Sequence, residues 1–87
     1  MVAWIPQKDG TYKVYLLGKE EIEGDVEVLS KTTEDGLRVL HVRLKPEGTV
    51  TAKVRIDNPI LGKRYTLYRH KVDSEGRLLY PAKIVES

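Results

Sequence analysis

"IEGDVEVLSKTTEDGLRVLHVRLKPEGTVTAKVRI" (residues 22–56) decides the fold. Its apolar residues recur at every second position. In 49–56, Val50, Ala52, Val54 and Ile56 fall on one side, and Thr49, Thr51, Lys53 and Arg55 on the other. In 37–45, Leu40, Val42 and Leu44 oppose Val39, His41, Arg43 and Lys45. In 22–31, Ile22, Val26 and Val28 oppose Glu23, Asp25, Glu27 and Lys31. A period of two with one apolar face marks a half-buried antiparallel strand. No stretch of the chain sustains a helical period over three turns.

Between such runs the chain repeats one corner, an acid followed by glycine: Asp9-Gly10, Asp35-Gly36, Glu47-Gly48 and Glu75-Gly76. Residues facing each other across an antiparallel pair share a face, so the alternation fixes the loop length. A two-residue loop at Asp35-Gly36 would set Val28 against Arg43, core against solvent. Three-residue loops at 8–10, 34–36, 46–48 and 74–76 keep the faces consistent. They set Trp4 opposite Val14, Thr33 opposite Leu37, Val28 opposite Val42, Ser30 opposite Leu40, Leu44 opposite Val50, and Val72 opposite Leu78. Such a loop is a type I turn followed by a left-handed residue, where glycine fits. The repeated corner is therefore turn chemistry rather than a functional signature.

Seven strands follow, at about 2–6, 11–17, 21–31, 37–45, 49–56, 64–73 and 77–85. The expected fold is all-β, a small antiparallel barrel or two-sheet sandwich of hairpin-connected strands. The expected core is led by Trp4, Val14, Leu16, Val26, Val28, Leu40, Val42, Leu44, Val50, Val54, Ile56, Leu78 and Ile84. Residues 57–63, "DNPILGK", form a longer loop. If Ile60 and Leu61 are buried they cap the barrel; if exposed they point to a protein partner.

The 87 residues suit a single domain. With no cysteine, disulfides, Cys-type zinc sites and thiol nucleophiles are excluded, and a cytoplasmic home is favoured over a secreted one. No apolar run approaches a membrane span, and the N-terminus lacks the pattern of a signal peptide. Charged residues make up 32% of the chain against one Asn, one Gln and one Met, a balance that leans toward a thermophile. No enzyme is expected. His41 and His70 have no partner at metal spacing, the glycines are scattered singly at turns, and Glu23, Asp25 and Glu27 line an open face. Neither a metal nor a cofactor is expected.

Charge divides the chain. Residues 1–35 carry four lysines against eight acids, net −4, and residues 36–87 carry eleven cations against five acids, net +6. The register puts Glu27 opposite Arg43 and Asp25 opposite Lys45, with His41 between Leu29 and Lys53 and Val39 facing Arg55. Opposite charges across strands are ordinary sheet stabilisers. Lys53 and Arg55 face no acid in that hairpin. Farther on, "GKRYTLYRHK" (62–71) interleaves basic groups with Tyr65 and Tyr68, and His70 joins the cations only when protonated. Cations suit phosphate and exposed rings suit base stacking. The candidate nucleic-acid-binding residues are Arg43, Lys53, Arg55, Lys63, Arg64, Tyr68, Arg69, Lys71 and Lys83.

One stretch, "VDSEGRLLYPAKI" (72–84), resembles the strand-turn-strand signature of AbrB-type DNA-binding hairpins, in which Asp, Gly, Arg and a following Pro recur. The resemblance implies a DNA-binding hairpin near an N-terminus that builds a swapped dimer. Here the stretch ends the sequence, Tyr80 stands where an aliphatic residue is usual, and Glu86 where a base is expected. Hairpin turn chemistry alone accounts for it, and membership is not drawn. The sequence thus favours a small non-catalytic domain that binds nucleic acid, RNA ahead of DNA, through a basic face of its C-terminal half. The alternative is a protein-interaction or structural module that uses an open strand edge or the 57–63 loop. No membrane partner is expected.

Overall fold

The computed structural model describes the backbone of residues 2–86 and the side chains of residues 2–79. These residues form eight strands and no helix: β1 (Val2–Pro6), β2 (Tyr12–Leu16), β3 (Glu20–Gly24), β4 (Val26–Glu34), β5 (Leu37–Leu44), β6 (Thr49–Asn58), β7 (Gly62–Val72) and β8 (Leu78–Glu86). They pair antiparallel in two four-stranded sheets, β1-β2-β5-β4 and β3-β6-β7-β8. One of the two curls strongly into a half-barrel. The expected all-β class stands. Among the described residues no helix is long and apolar enough to cross a membrane.

Two of the four corners have the expected form. Trp4 faces Val14 and Val2 faces Leu16 across the first hairpin, whose turn is closed by Gly10 N–H donating to Gln7 O at 3.2 Å. Val72 faces Leu78 across the last, closed by Gly76 N–H donating to Asp73 O at 3.2 Å. The Asp35-Gly36 corner differs. Glu34 faces Leu37 and Thr33 faces Arg38, so the loop has two residues rather than three. Asp35 and Gly36 have φ of 50° and 79°, the two positive values of a type I′ turn. Face consistency is restored by a bulge between Val28 and Ser30, which leaves Leu29 without an opposite residue. Val28 still meets Val42, but Leu40 meets Lys31 instead of Ser30.

The larger correction concerns which strands are neighbours. The run expected as one strand, 21–31, breaks at Asp25 into β3 and β4, which belong to different sheets. The expected pairing of 37–45 with 49–56 does not form. β5 lies between β2 and β4, and β6 between β3 and β7. His41 therefore sits between Lys13 and Ser30, and Val39 between Tyr15 and Thr32. Residues 45–48 are a crossing between sheets, and Asp25 pins it. Asp25 N–H donates to Thr49 O at 2.9 Å, Lys45 N–H to Asp25 O at 3.1 Å, and Thr49 N–H to Asp25 Oδ2 at 2.9 Å. The Asp25 carboxylate thus serves this corner, although Asp25 and Lys45 do share the backbone bond. Gly48 is required there for space: a Cβ on it would lie 2.6 Å from Asp25 Cβ.

The core lies between the sheets. Tyr12, Val14, Leu16, Val42 and Leu44 from one pack against Val50, Val72 and Leu78 from the other. Trp4, Val26 and Leu40 are half-buried against it. Two expected core residues are exposed, Val28 at 39% and Ile56 at 51%. The first lies on β4, an edge strand of its sheet, and the second lies beyond the last residue of β6 that β3 pairs. Ile84 falls outside the described side chains.

Candidate nucleic-acid interface

The ladder between β6 and β7 sorts the candidate residues by face. Val50 faces His70, Ala52 faces Tyr68, Val54 faces Thr66, and Ile56 faces Arg64. Val50, Ala52 and His70 are buried, so this is the inner face. On the outer face Thr49 pairs with Lys71, Thr51 with Arg69, Lys53 with Leu67, Arg55 with Tyr65, and Asp57 with Lys63. Five of the nine candidates, Lys53, Arg55, Lys63, Arg69 and Lys71, therefore share one face. Successive positions on it are about 6.8 Å apart along each strand.

The other four separate. Arg43 is on the outer face of the other sheet, opposite Glu27. Arg64 has the parity of the inner face but is exposed at the far end of the hairpin. Tyr68 is half-buried on the inner face and cannot stack a base that lies on the cations. Lys83 faces Arg69 in backbone register, and its side chain is outside the described residues. The aromatic residue that does share the face is Tyr65. Lys53 Nζ sits 4.4 Å from the centre of its ring, an attraction between a cation and the ring face.

Acids thin this basic surface at one end. Glu21 faces Lys53 from β3, and Glu23 faces Thr51. Asp57 accepts from Lys19 Nζ and from Arg55 Nε, both at 2.9 Å. The Lys19 bond, then the Arg55 bond, hold the Asp57 carboxyl below the usual carboxylate range. A cleft of about 400 Å³ opens here, among Lys19, Glu21, Arg38, Lys53, Arg55 and Tyr65. Arg38 reaches across from β5, donating through Nη2 to Gly18 O and Glu20 O, each at 2.8 Å. At the other end Arg69 and Lys71 face threonines on β6, with Glu23 across Thr51 from Arg69.

His70 is not part of this surface. It is buried on the inner face with its ring centre 5.5 Å from that of Trp4, edge to face, and burial pushes its imidazole below the ordinary value. A chemically suggestive chain lies on the first sheet instead: Thr11 Oγ1 donates to Asp9 Oδ1 and lies 2.6 Å from His41 Nε2. With the hydroxyl proton directed at the carboxylate, the ring nitrogen is the donor to Thr11. A nucleophilic triad runs the other way, with the carboxylate orienting the imidazole and the imidazole taking the hydroxyl proton. Thr11 is also only 1% exposed, closed to a substrate. The sequence reading missed this chain, because the contact between Thr11 and His41 depends on the β2–β5 pairing. Among the described residues no group of three or more His, Asp or Glu could hold a metal ion.

The 57–63 loop is the tip of the β6–β7 hairpin. Asn58 faces Gly62, and Asn58 Oδ1 accepts from Ile60 N–H at 2.8 Å and Leu61 N–H at 2.9 Å. Ile60 is 90% exposed and Leu61 62%. No protein family, no curated protein and no solved structure matches this chain.

Proposed function

We propose that the domain is non-catalytic and binds single-stranded nucleic acid, RNA ahead of DNA, on the outer face of the β3-β6-β7-β8 sheet. The observation that supports this most is the β6–β7 register, with Lys53, Arg55, Lys63, Arg69, Lys71 and Tyr65 on one face. Cations at alternate positions of adjacent strands follow a phosphate backbone, and Tyr65 offers a ring to a base. Arg69 and Lys71, two of the five cations, face threonines on β6 rather than acids. The wiring of the Asp9, Thr11 and His41 chain argues against hydrolytic chemistry.

Titration with mixed-sequence RNA and with single-stranded DNA tests the reading. The affinity should fall with salt at a log–log slope of about −0.7 per phosphate, near −3 for four to five contacts. Arg69→Glu with Lys71→Glu should abolish binding and leave the fold intact. Tyr65→Ala should weaken binding by ~1–3 kcal/mol, whereas Tyr68→Ala should lower stability and leave affinity unchanged. Binding weaker than about 100 μM in ~50 mM salt, below ordinary non-specific contact, would sink the proposal. A protein-interaction module is the second reading, supported by the exposed Ile60 and Leu61.

A further inference from the structure

We infer that the tip of the β6–β7 hairpin is a wedge, which inserts Ile60 and Leu61 between two adjacent bases of the nucleic acid held on the outer face. The inference rests on the proposed nucleic-acid reading and adds to it a second mode of contact at a different place.

The hairpin outruns β3, its neighbour on the β6 side. β3 pairs with β6 no farther than Glu20 opposite Val54, with one more bond from Arg55 N–H to Lys19 O. Among the described residues β8 pairs with β7 as far as Glu86 opposite Thr66. Residues 56–65 form a two-stranded ribbon with no third strand beside it among the described residues. Such a ribbon is narrow enough to enter a groove or part a stack.

Its end is already shaped. The two bonds from Asn58 Oδ1 fix the backbone at Ile60 and Leu61, and Gly62 takes φ of 82° to return the chain into β7. Little ordering remains to be done on binding, which favours affinity. Apolar side chains so exposed on a fixed convex tip have no cover from the rest of the domain. A convex apolar projection fits a gap between stacked surfaces.

The charge around the tip selects the occupant. Lys63 and Arg64 lie on the ribbon itself, Asp57 is already bound by Lys19 and Arg55, and Glu20 and Glu21 stay in the cleft at its base. The two ribbon cations match phosphates on either side of a parted step. Aliphatic wedges flanked by cations are a general device for unstacking bases. The ribbon also continues the outer face without a break, so a strand lying on Lys71, Arg69 and Lys53 reaches the tip at Lys63.

The test uses RNA and single-stranded DNA oligonucleotides that carry adjacent 2-aminopurines, whose fluorescence rises when they unstack. Wild type should bind with a salt-dependent affinity and raise the fluorescence. Ile60→Ser with Leu61→Ser, a change confined to exposed positions, should keep the salt slope, lose the fluorescence rise and weaken binding by about tenfold. Circular dichroism of the variant checks that the fold is kept. Salt-dependent binding by wild type without a fluorescence rise would overturn the wedge and leave the outer-face reading intact. So would a variant that behaves as wild type. No binding by wild type at all would remove the outer-face reading, and the wedge with it.

Discussion

Gly24 stands immediately before the residue where the chain leaves one sheet for the other, and its replacement by alanine tests why the break falls there. Its φ is 106°, and a Cβ would lie 2.5 Å from Thr49 O. Contacts that short do not occur, and the obstacle is backbone rather than a side chain that could swing away. The same Thr49 oxygen accepts the Asp25 N–H at 2.9 Å, so moving it weakens the bond that holds the crossing. Backbone strain at this φ costs ~1–3 kcal/mol, and the weakened bond ~0.5–1.5 kcal/mol more. Gly24→Ala should therefore destabilise by about 2–4 kcal/mol, a large part of the ~5–15 kcal/mol of an ordinary domain. In urea, with a slope near ~1 kcal/mol/M for a small chain, the midpoint should drop by about 2 M or more. Gly36→Ala is the control. Its φ is 79° with no heavy atom within 4 Å of the added carbon, so only conformational strain of ~1–2 kcal/mol remains. If the two variants lose the same stability, crowding at Thr49 is not what fixes the break.

His70 should make stability depend on pH near neutrality. Burial lowers its pKa from 6.5 in the folded protein, so the unfolded chain takes up the proton first as pH falls. Stability should decline as pH drops through 6.5 and level off below the folded value. His70→Phe should flatten urea midpoints between about pH 8 and pH 5; an unchanged slope would assign the effect to another group. Asp9 acts lower down. The Thr11 hydroxyl, then the Thr11 N–H, hold its carboxyl below 3.8, so that contribution is present above 3.8 and is lost as pH falls through the folded value. Asp9→Asn should shorten the acid limb of the stability curve, read by acid titration of tryptophan fluorescence. Deletion of Leu29 should straighten β4, set Val28 directly before Ser30 and cost less than about 1 kcal/mol. A loss several times larger in urea would mean that the bulge is needed to shape the sheet.

Local chemistry made legible two of the turns and, apart from the break within 21–31, the strands. Alternation marks them whatever their partners are, and the Asp9-Gly10 and Glu75-Gly76 corners obey face parity without interference. At Asp35-Gly36 the same parity misled, because one extra residue at Leu29 offset the missing loop residue. A turn and a compensating bulge give the same alternation as a longer turn with none. The choice of neighbours was hidden for a different reason. An apolar face on 37–45 and another on 49–56 meet equally well side by side in one sheet or face to face across a core. Gly24 was the available signal, since an isolated glycine in a strand marks close backbone approach. The cations of the candidate site were legible from parity along one hairpin. The ring among them was not, because nothing local says whether the Tyr65 side or the Tyr68 side of β7 meets the core. That is set by contacts with the other sheet.

The break at Asp25 also orders the way the domain can be assembled during synthesis. All four strands of the β1-β2-β5-β4 sheet exist once residue 44 has been made, whereas β3, made before two of them, has its partner among the described residues in β6. Translation at ~5–20 residues per second puts the end of β6 roughly 0.7–3 s behind the end of β5, while hairpins form in microseconds. For that interval the nascent sheet holds the apolar sides of Val14, Leu16, Val42 and Leu44 uncovered, with β3 hanging as an unpaired strand from its edge.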